Sequence, residues 1–140
     1  MPYVDAVVGL RARILAGLTE WADRPLGVST RADGPRPHVH LDPVPAGLKP
    51  FEPVVDEQVK LNAYPGVDLD EDEALEMLAA VIERVEIPSV WSAPGWSAGG
   101  LYAIRCRVVT RPHLVPDLSP REPRALAAVE LRYRPVQQTP

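Results

Sequence analysis

The chain has a single cysteine, Cys106, among 140 residues. One thiol excludes an internal disulfide framework and any multi-cysteine zinc site. Long hydrophobic runs are missing too. The longest, Met77–Ile82, has six residues, far below the ~20 that a bilayer-spanning helix needs. The N-terminal apolar stretch is broken by Asp5, Arg11 and Arg13, so it does not read as a signal peptide. A basic surplus is also lacking. The formal charge is −4 and the pI near 5.3, which argues against general nucleic-acid affinity, since that is driven by phosphate neutralisation. The loop glycines of Ser97-Ala98-Gly99-Gly100 are not followed by Gly-Lys-Ser/Thr, so they form no phosphate loop. Gly95-Trp96-Ser97-Ala98-Gly99 has Gly-x-Ser-x-Gly spacing, but a nucleophile elbow needs that turn to open a helix, and here it leads into the strand expected at Tyr102–Val108. The four acids at 70–73 lack the EF-hand spacing, its glycine and its final glutamate.

Proline is what the chain has in excess: 17 residues, about 12% against a usual ~5%. Proline removes a backbone donor and fixes φ, so it avoids helix interiors and central strands. The proline-free windows therefore mark the regular elements, within one domain spanning 1–140 with stiffened loops. In the first window Val4, Val7, Val8, Ile14, Leu15, Leu18, Trp21 and Ala22 recur at helical steps. This predicts one helix as far as Trp21, stopped by Asp23-Arg24-Pro25. A second helix follows Asp70, which has capping-box spacing to Glu73. Its apolar stripe is Leu75, Leu78, Ile82 and Val85, widened by Ala74 and Val81, and Pro88 ends it. Alternation predicts strands at His38–Leu41, Val59–Ala63, Tyr102–Val108 and Ala125–Tyr133, with one more short strand near Val28. Tyr102, Ile104, Cys106 and Val108 are expected to share the inner face of one strand. Ala127, Val129, Leu131 and Tyr133 are expected to do so in the last. The expected fold is α+β: a mainly antiparallel four- to five-stranded sheet with two helices packed on one face. The expected core includes Val8, Leu15, Leu18, Leu78, Ile82, Ile104, Cys106, Val129 and Leu131.

Charge is unevenly spread: +1 over residues 1–41, −9 over 42–86 and +4 over 87–140. A negative middle and a positive end can be complementary between copies of the chain. The candidate basic contacts are Arg105, Arg107 and Arg111, alternating along one strand, with Arg121 and Arg124 in the adjoining loop. The candidate acids are Glu52, Asp56 and Glu57, beside a proline-stiffened loop. The acids at 70–73 are weaker candidates, because a helix N-terminus already uses them. Trp91 and Trp96 bracket Pro94. They either fold back over a core edge or anchor a partner, as interface tryptophans do. The loop Pro112–Pro123 is too long for a hairpin turn, and such loops are often functional. His38-x-His40-x-Asp42 is the one metal-like pattern, with His113 as a distant fourth ligand. The commoner reading of such a pattern is the solvated face of an amphipathic strand. Cys106, between Ile104 and Val108, reads as a small buried hydrophobe. No cofactor, metal or catalytic residue is expected.

The layout of these elements resembles the tail terminator (tail-completion) proteins of long-tailed bacteriophages, particularly those of actinobacterial phages. The parts that carry it are the opening amphipathic helix Val4–Trp21, Pro37-His38-Val39-His40-Leu41, and Gln58-Val59-Lys60-Leu61-Asn62-Ala63-Tyr64. The helix Asp72–Val85 and the final pair Leu101–Arg111 and Ala125–Val136 complete it. A bias to 13 Arg over two Lys suits a high-GC genome. The resemblance implies a structural virion protein, not an enzyme. Such a protein forms a hexameric ring that caps the tail tube, ends tail polymerisation and offers the head-joining surface. Its partners would be other copies, the tail tube protein and a head-completion or neck protein, with DNA only passing through the lumen and no membrane. It would sit at the head-proximal end of the tail, after assembly in the host cytoplasm. The residues also leave open another small head–tail joining (neck) protein and a monomeric small-molecule-binding α+β domain. An enzyme would have His38, His40 and Asp42 as its metal site.

Overall fold

The computed structural model describes residues 6–44, 54–66, 70–87, 94–115 and 122–135. The elements in chain order are α1 (Ala6–Leu15), β1 (Glu20–Trp21), β2 (Arg24–Pro25), β3 (Gly27–Ser29), β4 (His38–Pro43) and β5 (Val55–Tyr64). They continue with α2 (Glu71–Val85), β6 (Ser97–Ala98), β7 (Leu101–Leu114) and β8 (Ala125–Pro135). The fold is α+β, with both helices on one face of a mainly antiparallel sheet. That sheet has six strands rather than four or five, in the order β3-β4-β5-β8-β7-β6, and β3 joins β4 in parallel. β8 lies between β5 and β7 and is antiparallel to both. The chain therefore leaves β5, passes through α2 and enters β7, and β8 fills the gap between the two parallel strands.

The opening helix is shorter than its periodicity suggests. It ends at Leu15, Leu18 N–H closes a last turn on the Ile14 carbonyl at 2.9 Å, and β1 pairs antiparallel with β2. Ala22 and Asp23 turn that hairpin at φ +52° and +62°, the left-handed sense that suits a two-residue turn. Just past its end the Arg84 guanidinium of α2 lies over Gly17, where a Cβ would stand 2.3 Å from the guanidinium carbon. Trp21 keeps its inward bias as a hairpin residue and donates its indole N–H to Glu73 Oε2 at 3.2 Å. Val8 does not join the core. It is 49% exposed, while Ala6, Val7, Leu10 and Ile14 are buried. Leu15 and Leu18 pack at the core's margin.

α2 follows expectation except at Leu75, which is only partly buried. Asp70 accepts from the Glu73 N–H at 3.0 Å, and Ala74, Leu78, Val81, Ile82 and Val85 are buried, with Met77 added. Its C-terminal carbonyls are closed by side chains from elsewhere: Arg13 Nε donates to Arg84 O at 2.8 Å and Trp96 Nε1 to Val85 O at 3.0 Å. Unsatisfied carbonyls are the normal liability of a helix end.

β7 departs from simple alternation. Its register against β8 shifts between Ala103 and Arg105. One residue, Ile104, is extra, as in a β-bulge. Leu101 and Ala103 face the core before the bulge and Cys106 after it. Tyr102 and Ile104 are therefore not core residues. β7 also runs on through Pro112 to Leu114, with further register shifts between Val108 and Thr110 and between Thr110 and His113, the last of which holds the proline out of the ladder. Of the loop expected at Pro112–Pro123, residues 112–114 belong to this strand, and 116–121 lie outside the described residues. β8 alternates as expected, with Ala127, Val129, Leu131 and Tyr133 buried.

Candidate interaction surface

A sheet with helices on one face leaves its other face to be covered by something else or by water. Register identifies the side chains there. From β5 come Asp56, Gln58, Lys60, Asn62 and Tyr64; from β8, Leu126, Ala128, Glu130, Arg132 and Arg134; from β7, Tyr102, Arg105, Arg107, Thr110 and His113; from β4, His38, His40 and Asp42. Cross-strand neighbours pair by charge. Arg132 grips Asp56 with two nitrogens, at 2.9 and 3.2 Å. Arg107 reaches Glu130 Oε1 at 3.0 and 3.2 Å, and Arg105 reaches the same oxygen at 3.4 Å. Hydrogen bonding by Arg132 holds the Asp56 carboxyl below its ordinary range. The Arg132–Asp56 pair is partly exposed on both sides, so it contributes only about 0–1 kcal/mol, whereas Glu130 is only 20% exposed beside its two arginines. The effect of these pairs is to fix long side chains in a lattice. Cations exceed carboxylates on this face: Lys60, Arg105, Arg107, Arg132 and Arg134 stand against Asp42, Asp56 and Glu130. Arg134 also lies over the Tyr102 ring, 5.5 Å from its centroid.

At one end of this face Tyr64 is held between two arginines. Arg36 lies 4.3 Å and Arg124 5.8 Å from its ring centroid, and Arg124 Nη1 donates to the Tyr64 hydroxyl at 3.1 Å. Arg36 also pairs with Glu122 and donates to the carbonyls of Ala32 and Gly34 at 2.8 and 2.7 Å. The cluster clamps the 31–37 segment to the sheet.

The other site residues expected from sequence are dispersed. Arg105, Arg107 and Asp56 share the outward face, with partners in their own chain. Glu57 points to the helix side, where its carboxylate accepts from the Tyr133 hydroxyl at 2.7 Å. Arg111 is exposed on β7 and has no ion pair among the described residues. Trp96 is 7% exposed and folds back over the core edge, the first of its two readings. Trp91, Glu52 and Arg121 lie outside the described residues. Glu130, Arg132 and Arg134 were missed as site residues. The alternation of β8 already put them on the outer face, but only cross-strand register shows what they meet.

His38, His40 and Asp42 do share a face. His38, however, is buried at 3% exposure rather than solvated. Its Nε2 lies 2.7 Å from Arg31 O and 3.1 Å from Ser29 Oγ. A carbonyl only accepts, so Nε2 carries the proton and donates to it. That leaves no lone pair on Nε2 to bind a metal or activate Ser29. His113 sits on β7, three strand spacings from β4, or about 14 Å. Among the described residues no three His, Cys, Asp or Glu side chains stand close enough to hold a metal. Cys106 is fully buried, and its thiol is pushed up to about 12 by burial, with the Glu86 charge adding to it. At neutral pH it is a protonated apolar group, not a nucleophile.

Burial of His38, with no partner for Nδ1 among the described residues, lowers its pKa from the ordinary 6.5. The folded chain holds it neutral, whereas the unfolded chain takes up a proton near 6.5. Stability is therefore expected to fall as pH drops below about 6.5 toward the lower folded value. Urea midpoints measured from pH 7.5 to 5 check this. The His38→Asn variant should lose that slope, and an identical slope in both proteins would remove His38 as its source.

Comparison with the models of known protein families and with curated proteins finds no match for this chain.

Proposed function

We propose that this chain is a structural protein of the tail terminator kind: a ring-forming subunit that caps a phage tail tube, stops its growth and presents a surface to the head. The observation that carries the reading is the wide, outward sheet face, spread over β4, β5, β8 and β7 and bearing arginines held by cross-strand partners. Broad, pre-ordered surfaces of this type suit contact with another protein surface, because little side-chain freedom remains to be lost on association. A helix, strands, a second helix and a final strand pair follow one another as in the layout on which the resemblance rests, with the opening helix cut back to Ala6–Leu15. Sedimentation of the purified chain, alone and with tail tube protein, tests the proposal. A hexameric ring, or a ring that appears on the tube end, is expected. A 15.3 kDa species under all salt and concentration conditions, indifferent to the tube protein, would overturn it.

A further inference from the structure

We propose that the outward sheet face of one copy receives the exposed acidic face of α2 from the next copy, so that subunits join head to tail. The inference rests on the ring reading above and names its surfaces. The receiving face has Lys60 opposite Ala128 of β8, Arg107 opposite Glu130, Arg105 opposite Arg132, and then Arg134. From the Ala128 level to Arg134 is six residues of strand, about 20 Å. On α2, Asp72, Glu76 and Glu83 are exposed and Glu86 follows at the cap. The first three fall within an arc of about 40° and span about 17 Å of helix. The two charged rows are therefore similar in length and opposite in sign. α2 packs its buried stripe on β5, β7 and β8, so its acids point away from the sheet.

Partnering within the chain separates the two surfaces further. Asp56, an acid expected from sequence to serve the neighbour, is already held by Arg132. Asp72, Glu76 and Glu83 have no ion pair among the described residues. The helix is thus left with the unspent charge. Opposite faces of a two-layer domain cannot meet by a two-fold axis, since each would face its own kind. They join heterologously, which is the geometry that closes rings. Charge sets orientation and encounter rate here, and like charges brought together are penalised.

Charge exchange is the test, read by sedimentation at low and moderate salt, with circular dichroism as the folding control. Variant A is Glu76→Lys with Glu83→Lys. Variant B is Lys60→Glu with Arg134→Glu, chosen because both spare the Glu130 cluster. Each alone is expected to need about tenfold more protein to assemble, or more. Mixing A with B, or placing all four substitutions in one chain, should restore assembly. Folded variants that assemble like the parent chain, or a defect that neither exchange repairs, would overturn the pairing while leaving the ring intact. Duplex DNA bound by the parent chain and lost in variant B, with assembly unaltered, would reassign the face to nucleic acid. A parent chain that never oligomerises fails the ring reading itself and takes this pairing with it.

Discussion

Replacing Trp96 with alanine is expected to remove about 3–5 kcal/mol of folding stability. Two losses combine. The indole is buried against the core edge beside α1 and α2, so its removal leaves a cavity. It also donates to the Val85 carbonyl, one of the last acceptors of α2, and that oxygen would be left buried without its donor. Trp96→Phe separates the two, because phenylalanine keeps much of the packing and lacks the N–H. Loss of that bond should cost about 1–3 kcal/mol. Urea unfolding of the parent and both variants measures the order. A domain of this size has about 5–15 kcal/mol in total, so the alanine variant should be visibly unstable. Equal midpoints for all three would mean that Trp96 is a surface residue after all.

The second large effect is expected at Leu78. It is fully buried on α2, and Leu78→Ala should cost about 2–5 kcal/mol. Alternation in the sequence gives Ile104 the same inward role and the same cost. The bulge changes this. Ile104 is the extra residue between two registers, is partly exposed and lies outside the buried cluster. Ile104→Ala should therefore cost about 1 kcal/mol or less. Thermal or urea melts of the two single variants decide the matter. If Ile104→Ala is as damaging as Leu78→Ala, the bulge is misplaced and simple alternation holds through β7.

Local chemistry accounts for what was legible in the residues alone. The capping pair Asp70 and Glu73, the buried stripe of α2 and the inner face of β8 follow from spacing, because each is an uninterrupted element with one buried side. Proline positions marked several boundaries, with β2, β4 and β8 ending on Pro25, Pro43 and Pro135, whereas β7 carries Pro112 through a break in its register. The single cysteine was readable as a core residue because its neighbours two away are aliphatic, although the bulge leaves only Val108 on its face.

Long-range packing decided the rest. α1 stops at Leu15 and Glu20–Pro25 forms a hairpin instead, although the apolar spacing through Trp21 suits a helix equally well. A bulge flips the face of every residue beyond it, and alternation has no means of showing where one sits. His38 is buried because the 31–37 segment folds over it, while its alternation with Val39 looks like any solvated strand face. Partner choice was the least legible feature. Asp56 and the arginines could be assigned to different copies from net charge, but strand register places Asp56 beside Arg132 and Glu130 beside Arg107 in one chain. Composition fixes how much charge the chain carries. Which charges are satisfied at home, and which remain on α2, depends on strands and helices brought together from far apart in sequence.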